Sequence, residues 1–176
     1  MNENRTYTLY FDSSWNRIDQ YPDVERVDLA VRPDAARMLI DLGLLLREDL
    51  PCLIVRDPRG KITVMQVGVS PDEVSSIAAA KPRGEDPIVV YASFWCPDCK
   101  LAKRLLDDAE RKYQEVAIDE DPVAEAKVMA RSGGRRVVPT IVFGERLFAF
   151  NPPPAELKAM LRPAGEPRTS NLEQVS

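Results

Sequence analysis

Two of the three cysteines in this chain, Cys96 and Cys99, are separated by only two residues in the segment FWCPDCK. They follow a short apolar run and open a helical pattern, and residues three apart share a helix face, so their sulfurs can meet in a small ring. The free N–H groups and the dipole of a first helical turn favour a thiolate, typically lowering a thiol pKa from about 8.5 to between roughly 3.5 and 7.5. We therefore predict that Cys96 is the attacking nucleophile and that Cys99, deeper in the helix, is the resolving thiol.

Two other interpretations of the cysteine pair are a metal site and an inert place in the core. A structural zinc site normally takes four Cys or His ligands, whereas this sequence has no histidine and one further cysteine, Cys52. The sequence therefore predicts no metal site, and the junction of a strand with a helix favours redox chemistry over inert packing. Cys52 has no partner in sequence and is expected to be a buried core residue; the alternative is a third thiol in the electron path.

The elements around the cysteine pair follow the order β-α-β-α-β-β-α. Apolar runs predict the strands, helical spacing predicts the helices, and Gly144-Glu145 fits a two-residue hairpin turn. The predicted strands are 87–92, 114–119, 137–143 and 146–150, and the predicted helices are 97–113, 122 to the Gly133-Gly134 stop, and 155–161.

The first half of the chain shows the same order less clearly. Predicted strands cover 6–11, 24–31, 50–55 and 62–67, with one helix opening at Pro33 and a closing helix capped by Ser70. Leu50-Pro51-Cys52 parallels Val138-Pro139-Thr140, but the long helix after the first strand has no counterpart. Ser13-Ser14-Trp15 stands where the cysteine pair would be, so no dithiol chemistry is expected there.

We interpret these halves as a degenerate internal repeat of one small α/β unit, the alternative being an unrelated α/β module in front of the second half. The predicted organisation is an inactive unit at 1–80, a linker at 81–87, a catalytic domain at 88–162 and a disordered tail at 163–176. The inactive unit is expected to pack on its neighbour, bind a partner or form a dimer contact.

Composition excludes several classes of function. With 24 basic and 28 acidic side chains and no basic stripe interleaved with aromatics, nucleic acid is not an expected partner. No apolar run is long enough for a bilayer span and the first residues lack the apolar core of a signal peptide, so we expect no membrane contact and a cytoplasmic protein.

The strand, the WCPDC segment, the helix and the later GGRRVVPTIVFGERLFAFNPPPAELKAML together resemble the glutaredoxins of the thioredoxin superfamily, above all the mycoredoxin-like ones. The resemblance covers 87–162 and implies an α/β thioredoxin-like fold, a mixed sheet with helices on both faces, in two tandem units if the repeat is real. It also implies a cis peptide bond between Val138 and Pro139 beside Cys96, with the Val138 backbone pairing to the substrate and Thr140 completing the motif.

Around this motif, further residues are candidates for substrate contact. Pro97 fits the first helical turn, and Trp95 either offers a flat apolar surface to the substrate or covers the edge of the core. Arg135 and Arg136 either hold a carboxylate of a small thiol or are solvated loop charges.

The low-molecular-weight thiol is left open by two departures from the family pattern. Mycoredoxins usually have glycine and an aromatic residue where this chain has Pro97 and Asp98, and Asn151-Pro152 replaces the Gly-Gly-x-Asp motif of ordinary glutaredoxins. Mycothiol, glutathione or a similar thiol therefore remains possible as co-substrate, with no bound cofactor, and so does direct reduction of protein disulfides.

The sequence thus predicts a thiol–disulfide oxidoreductase that reduces protein disulfides, or mixed disulfides with a small thiol, through Cys96 and Cys99. The alternative is an interaction or scaffold protein in which this pair senses the redox state while the first half binds a partner.

Overall fold

The structure, a computed structural model, describes residues 5–14, 19–21, 24–75, 82 and 86–162. The predicted tail, residues 163–176, and most of the predicted linker, residues 81–87, lie outside the described residues. The strands are β1 (Thr6–Phe11), β2 (Glu25–Asp28), β3 (Cys52–Arg56), β4 (Ile62–Gln66), β5 (Ile88–Ala92), β6 (Tyr113–Ala117), β7 (Thr140–Phe143) and β8 (Leu147–Phe150). The helices are α1 (Pro33–Asp41), α2 (Leu46–Asp49), α3 (Pro71–Ser75), α4 (Pro97–Asp108), α5 (Pro122–Arg131) and α6 (Pro154–Leu161).

All eight strands form one mixed sheet in the order β2-β1-β3-β4-β8-β7-β5-β6. The outer pairs β1–β2 and β5–β6 are parallel, and every pairing between them is antiparallel. Helices cover both faces, because α4 and α6 bury their apolar residues against one face and α1 and α5 against the other. Among the residues that the structure describes, no helix is long and apolar enough to cross a membrane.

The second half has the predicted thioredoxin-like order from β5 to α6, and local signals explain its boundaries. Pro97 occupies the first turn of α4, and the Asp121 side chain accepts the N–H groups of Val123 and Ala124, each at 3.0 Å, to cap α5. Gly144 and Glu145 both have positive φ, +57° and +58°, as a type I′ hairpin turn requires.

Several predicted boundaries in the second half are wrong, among them the start of β7, which is Thr140 rather than Val137. Helix α4 ends at Asp108 rather than at Tyr113, because the chain turns at Glu110, which has a φ of +53°. Tyr113 instead begins β6, so this strand starts one residue before the predicted 114 and ends at Ala117.

The first half repeats the strand pattern of the second, and α1 (Pro33–Asp41) begins at Pro33 as predicted. Strand β2 (Glu25–Asp28) is shorter than the predicted 24–31, and a one-turn helix, α2, was missed by the prediction. The repeat extends to the register. The pair of Tyr10 with Cys52 in the first half corresponds to the pair of Tyr91 with Thr140 in the second. Cys52 begins β3 and Thr140 begins β7, and each directly follows a cis X-Pro bond, Leu50–Pro51 and Val138–Pro139.

The two halves join at β4 and β8 about an approximate two-fold axis. Counted through the repeat, Met65 corresponds to Phe148, and these two residues pair directly with each other. The flanking pairs, Val64 with Ala149 and Gln66 with Leu147, complete the symmetry. The sheet therefore continues from one half into the other with no break.

Candidate active site

The cysteine pair sits where β5 ends and α4 begins. Cys96 is the N-cap of α4, and its Sγ accepts the backbone N–H of Cys99 at 3.0 Å, so an N–H group of the first turn points at this sulfur. The two sulfurs are joined in a disulfide with their Cα atoms 5.2 Å apart. Cys99 is 1% exposed whereas Cys96 is only half-buried, so Cys96 carries the accessible sulfur, as the sequence predicted.

The loop before β7 lies beside the cysteine pair because β7 runs antiparallel to β5, so that it begins at the edge where β5 ends. The predicted cis bond between Val138 and Pro139 is present in this loop. The Thr140 hydroxyl donates to the Val137 carbonyl at 2.8 Å, and the Pro139 carbonyl accepts the Asn151 N–H at 2.8 Å. Cys96 and Val138 both pack on the core cluster under α4, which brings the two predicted halves of the site together.

Exposed apolar side chains lie close to Cys96 along the chain. Trp95 is 91% exposed and Phe94 is 55% exposed, and Leu101 on the first turns of α4 is 40% exposed. Pro97 is exposed between the two cysteines. Trp95 does not cover the edge of the core, so of its two predicted roles only the flat surface toward the substrate agrees with its position.

A shallow cavity of about 240 Å³ opens between α4 and the start of α6. Its only charged side chain is Asp98, and three consecutive prolines, which carry no N–H donor, form one wall. The lining residues are Asp98, Leu101, Ala102, Leu105, Asn151, Pro152, Pro153, Pro154 and Leu157.

The two arginines before Val137 are both engaged within the protein. The Arg135 guanidinium donates to the Ile62 carbonyl in β4 at 2.9 Å and to the Ser132 carbonyl at 3.2 Å. Arg136 pairs with Glu125 at 2.6 Å and with Asp119. Neither arginine is simply a solvated loop charge.

Asp119 is the site residue that the sequence did not reveal. Its Oδ2 accepts the Phe94 N–H at 2.9 Å, its Oδ1 pairs with Arg136, and the Ser93 side chain also hydrogen-bonds to it. The Phe94 N–H, then the Ser93 hydroxyl and Arg136, lower the pKa of Asp119 below its ordinary value, because all three favour the carboxylate. The only sequence signal was an acidic run after a strand, which is as common on a solvated surface.

Cys52 lies apart from this site. It is fully buried at the start of β3, where burial raises the pKa of its thiol above its ordinary value. The prediction of a core residue is confirmed. Among the residues that the structure describes, no group of three or more Cys, Asp or Glu side chains is placed to hold a metal ion.

Comparisons with known proteins agree with this geometry. Residues 88–148 match the model of the family described as Glutaredoxin. A glutaredoxin of Pseudomonas aeruginosa is 42% identical over 59 residues, which are 34% of this chain and 69% of that protein. The chain belongs to the glutaredoxin family. Mycoredoxin 1 of Corynebacterium glutamicum is 34% identical over 74 residues, 42% of this chain and 91% of that protein.

A glutaredoxin-like solved structure, the NrdH-redoxin of Escherichia coli, has 23% identity and a TM-score of 0.38, over 44% of this chain and 97% of that chain. Membership of the glutaredoxin family places the chain among the thiol–disulfide oxidoreductases. The family model matches residues within the second half of the chain, and the first half lies outside that match.

Proposed function

We propose that the protein reduces disulfides through Cys96 and Cys99 acting in turn. The Cys96 thiolate attacks one sulfur of the substrate disulfide, forms a mixed disulfide and expels the other sulfur as a thiolate, which takes up a proton. The Cys99 thiolate then attacks the Cys96 sulfur, releases the second substrate thiol and leaves the Cys96–Cys99 disulfide. Two electrons pass to the substrate, and the dithiol is restored by an external thiol or a reductase.

The contact between the Cys99 N–H and the Cys96 sulfur at 3.0 Å is the observation that carries this proposal. A backbone donor aimed at Cys96, at the positive end of α4, stabilises a thiolate on the accessible sulfur rather than on the buried one. Trp95, Pro97 and the Val138–Thr140 loop complete the proposed substrate surface around it.

The co-substrate that we propose is a low-molecular-weight thiol such as mycothiol or glutathione, acting on mixed disulfides or restoring the dithiol. The surface near Cys96 offers few donors to the anionic groups of such a thiol. Arg136 is already paired with Asp119 and Glu125, and the prolines at 152–154 offer no N–H donors. These contacts support protein disulfides as the principal substrates, with the small thiol as reductant.

For the first half we propose an inactive unit at 1–80, joined through 81–87 to the catalytic unit at 88–162. The repeated strand order and register support this division. We propose that its free surface docks a protein partner or a second copy of the chain.

Cysteine variants test the proposal in the full chain. Cys96→Ser should abolish reduction of insulin disulfides by dithiothreitol-recycled protein, and Cys52→Ala serves as the matched control with a retained rate. Cys99→Ser should stall on protein disulfides as a covalent adduct visible by intact mass, while keeping activity on a small-thiol mixed disulfide. Full activity of Cys96→Ser would contradict the nucleophile assignment, and a Cys99→Ser protein that turns over insulin without an adduct would contradict the two-cysteine sequence.

A further inference from the structure

The start of α4 and the loop before β7 are separate segments that must hold a fixed relative position. The substrate disulfide has to reach Cys96 while its backbone lies along Val138, so a shift between these segments misaligns the reacting sulfurs. Positioning of this kind is a large part of catalysis, because a displacement of about 1 Å can cost on the order of a hundredfold in rate.

Asp119 touches both segments. It follows β6, which extends alongside β5 as far as the hydrogen bond from the Ile118 N–H to the Ala92 carbonyl at 3.0 Å. One oxygen of its carboxylate accepts the Phe94 N–H at 2.9 Å, two residues before Cys96. The other pairs with Arg136, two residues before Val138.

Arg136 is in turn held from a second side. Its Nε donates to Glu125 on the first turn of α5 at 2.6 Å, while its Nη2 reaches Asp119. The guanidinium is planar and presents its donors at fixed angles, so two carboxylates restrict its orientation as well as its place. The loop before β7 is thus tied to β6 and α5 rather than left to its own conformation.

The first half contains one of these two contacts, the hydrogen bond from the backbone N–H to a carboxylate. Ser13 occupies the position of Phe94, and its N–H likewise meets a carboxylate, that of Asp28, at 3.1 Å. The residue at the position of Arg136, counted from the two cis prolines, is Glu48, whose charge cannot pair with Asp28. A carboxylate that accepts the N–H of this turn is present in both halves, and in the half that carries the cysteines this carboxylate also pairs with an arginine three residues before the cis proline.

We propose that Asp119 is a positioning residue which, through Phe94 and Arg136, sets the distance between Cys96 and the Val138 backbone. This role rests on the dithiol activity proposed above. It concerns alignment of a bound disulfide and leaves the intrinsic reactivity of the Cys96 thiolate largely unchanged.

The test compares two reactions of the same sulfur in the full-length, reduced protein. Reduction of insulin disulfides needs both Cys96 and the Val138 backbone, whereas alkylation of Cys96 by iodoacetamide needs only the thiolate. Asp119→Asn, which keeps an oxygen for the Phe94 N–H but loses the charge, should lower kcat/KM for insulin about tenfold and change the alkylation rate less than twofold. Arg136→Gln should do the same, and Arg136→Lys should recover part of the loss.

Glu115→Gln is the matched control, since it removes the same charge from β6 and breaks an exposed ion pair with Lys103 at 2.8 Å that touches neither loop. Its kcat/KM should stay within twofold of the parent. The double variant Asp119→Asn/Arg136→Gln should be no slower than the slower single variant, because both changes cut one link.

Several results would overturn the role of Asp119. These are an unchanged kcat/KM in Asp119→Asn, a loss of alkylation rate equal to the loss of kcat/KM, and additive losses in the double variant. Absence of insulin reduction by the parent protein would instead refute the proposed function itself, so the two failures are distinguishable.

Discussion

Replacing Met65 with alanine tests whether the two halves of the sheet unfold as one cooperative unit. Met65 lies on β4 in the first half, is 0% exposed and pairs directly with Phe148 on β8. It packs in a core cluster that draws residues from both halves, so the cavity left by the substitution belongs to both. Truncation of a fully buried methionine to alanine costs about 2–5 kcal/mol.

The expected loss translates into a measurable shift. With a urea dependence of about 2 kcal/mol per molar, a loss of about 3 kcal/mol lowers the unfolding midpoint by about 1.5 M. Far-UV circular dichroism reports both halves, and the initial rate of disulfide reduction in urea reports the half that carries Cys96. The two signals should shift together in Met65→Ala, because a break between β4 and β8 leaves both strands with an open edge.

Val31→Ala is the control for this experiment, since Val31 is 71% exposed and its truncation should change the stability by no more than about 0.5 kcal/mol. The reasoning would be refuted if Met65→Ala lost part of its circular dichroism at low urea while its activity kept the midpoint of the parent. That result would mean that the catalytic half folds without support from its neighbour.

Three further predictions concern single residues. Because folding lowers the pKa of Asp119, its carboxylate contributes to stability above about pH 4, and this contribution is lost as the pH falls through the pKa of the folded state. Urea titrations below pH 4 should therefore show a smaller loss of stability with falling pH in Asp119→Asn than in the parent. In the reduced native protein iodoacetamide should modify Cys96 within minutes and Cys52 only after unfolding, as peptide mass mapping would show; early labelling of Cys52 would contradict its burial. Gly144→Ala should lower the unfolding free energy by more than about 1 kcal/mol, because its φ is +57° and a Cβ would stand 2.8 Å from the Asp86 carboxylate; an unchanged thermal midpoint would contradict this.

Local signals explain why the second half could be predicted in outline. Pro97 and Asp121 mark the starts of α4 and α5, Gly144-Glu145 marks the hairpin, and tertiary packing agrees with each of them. The end of α4 was missed because Tyr113 fits helical spacing and strand alternation equally well. The helix ends because Glu110 adopts a left-handed conformation, and a glutamate at this position does not indicate a helix end as a glycine would.

Contacts between distant residues account for what the sequence did not reveal. Asp119 and Arg136 are 17 residues apart, and nothing in either neighbourhood indicates that they pair. Arg135 illustrates the same limit, because its partner is the Ile62 carbonyl in the other half of the chain. The contact between Asp119 and Arg136 becomes visible only once the second half has folded, and the contact of Arg135 only once β4 and β8 have joined the two halves.

The symmetry of the sheet determines what the first half can contribute to catalysis. Strands β1 and β5 run in opposite directions. Cys52 lies beside the C-terminal end of β1 and Cys96 just after the C-terminal end of β5, so the two cysteines are at opposite ends of the strands. Four strand spacings between β3 and β5 add about 19 Å across it. A disulfide requires Cα atoms within about 7 Å, so Cys52 cannot exchange with Cys96 inside one folded chain. The first half can therefore act on the dithiol only through the structure that it supports, and the hydrogen bond from Arg135 to Ile62 makes that support direct at the loop leading to Val138.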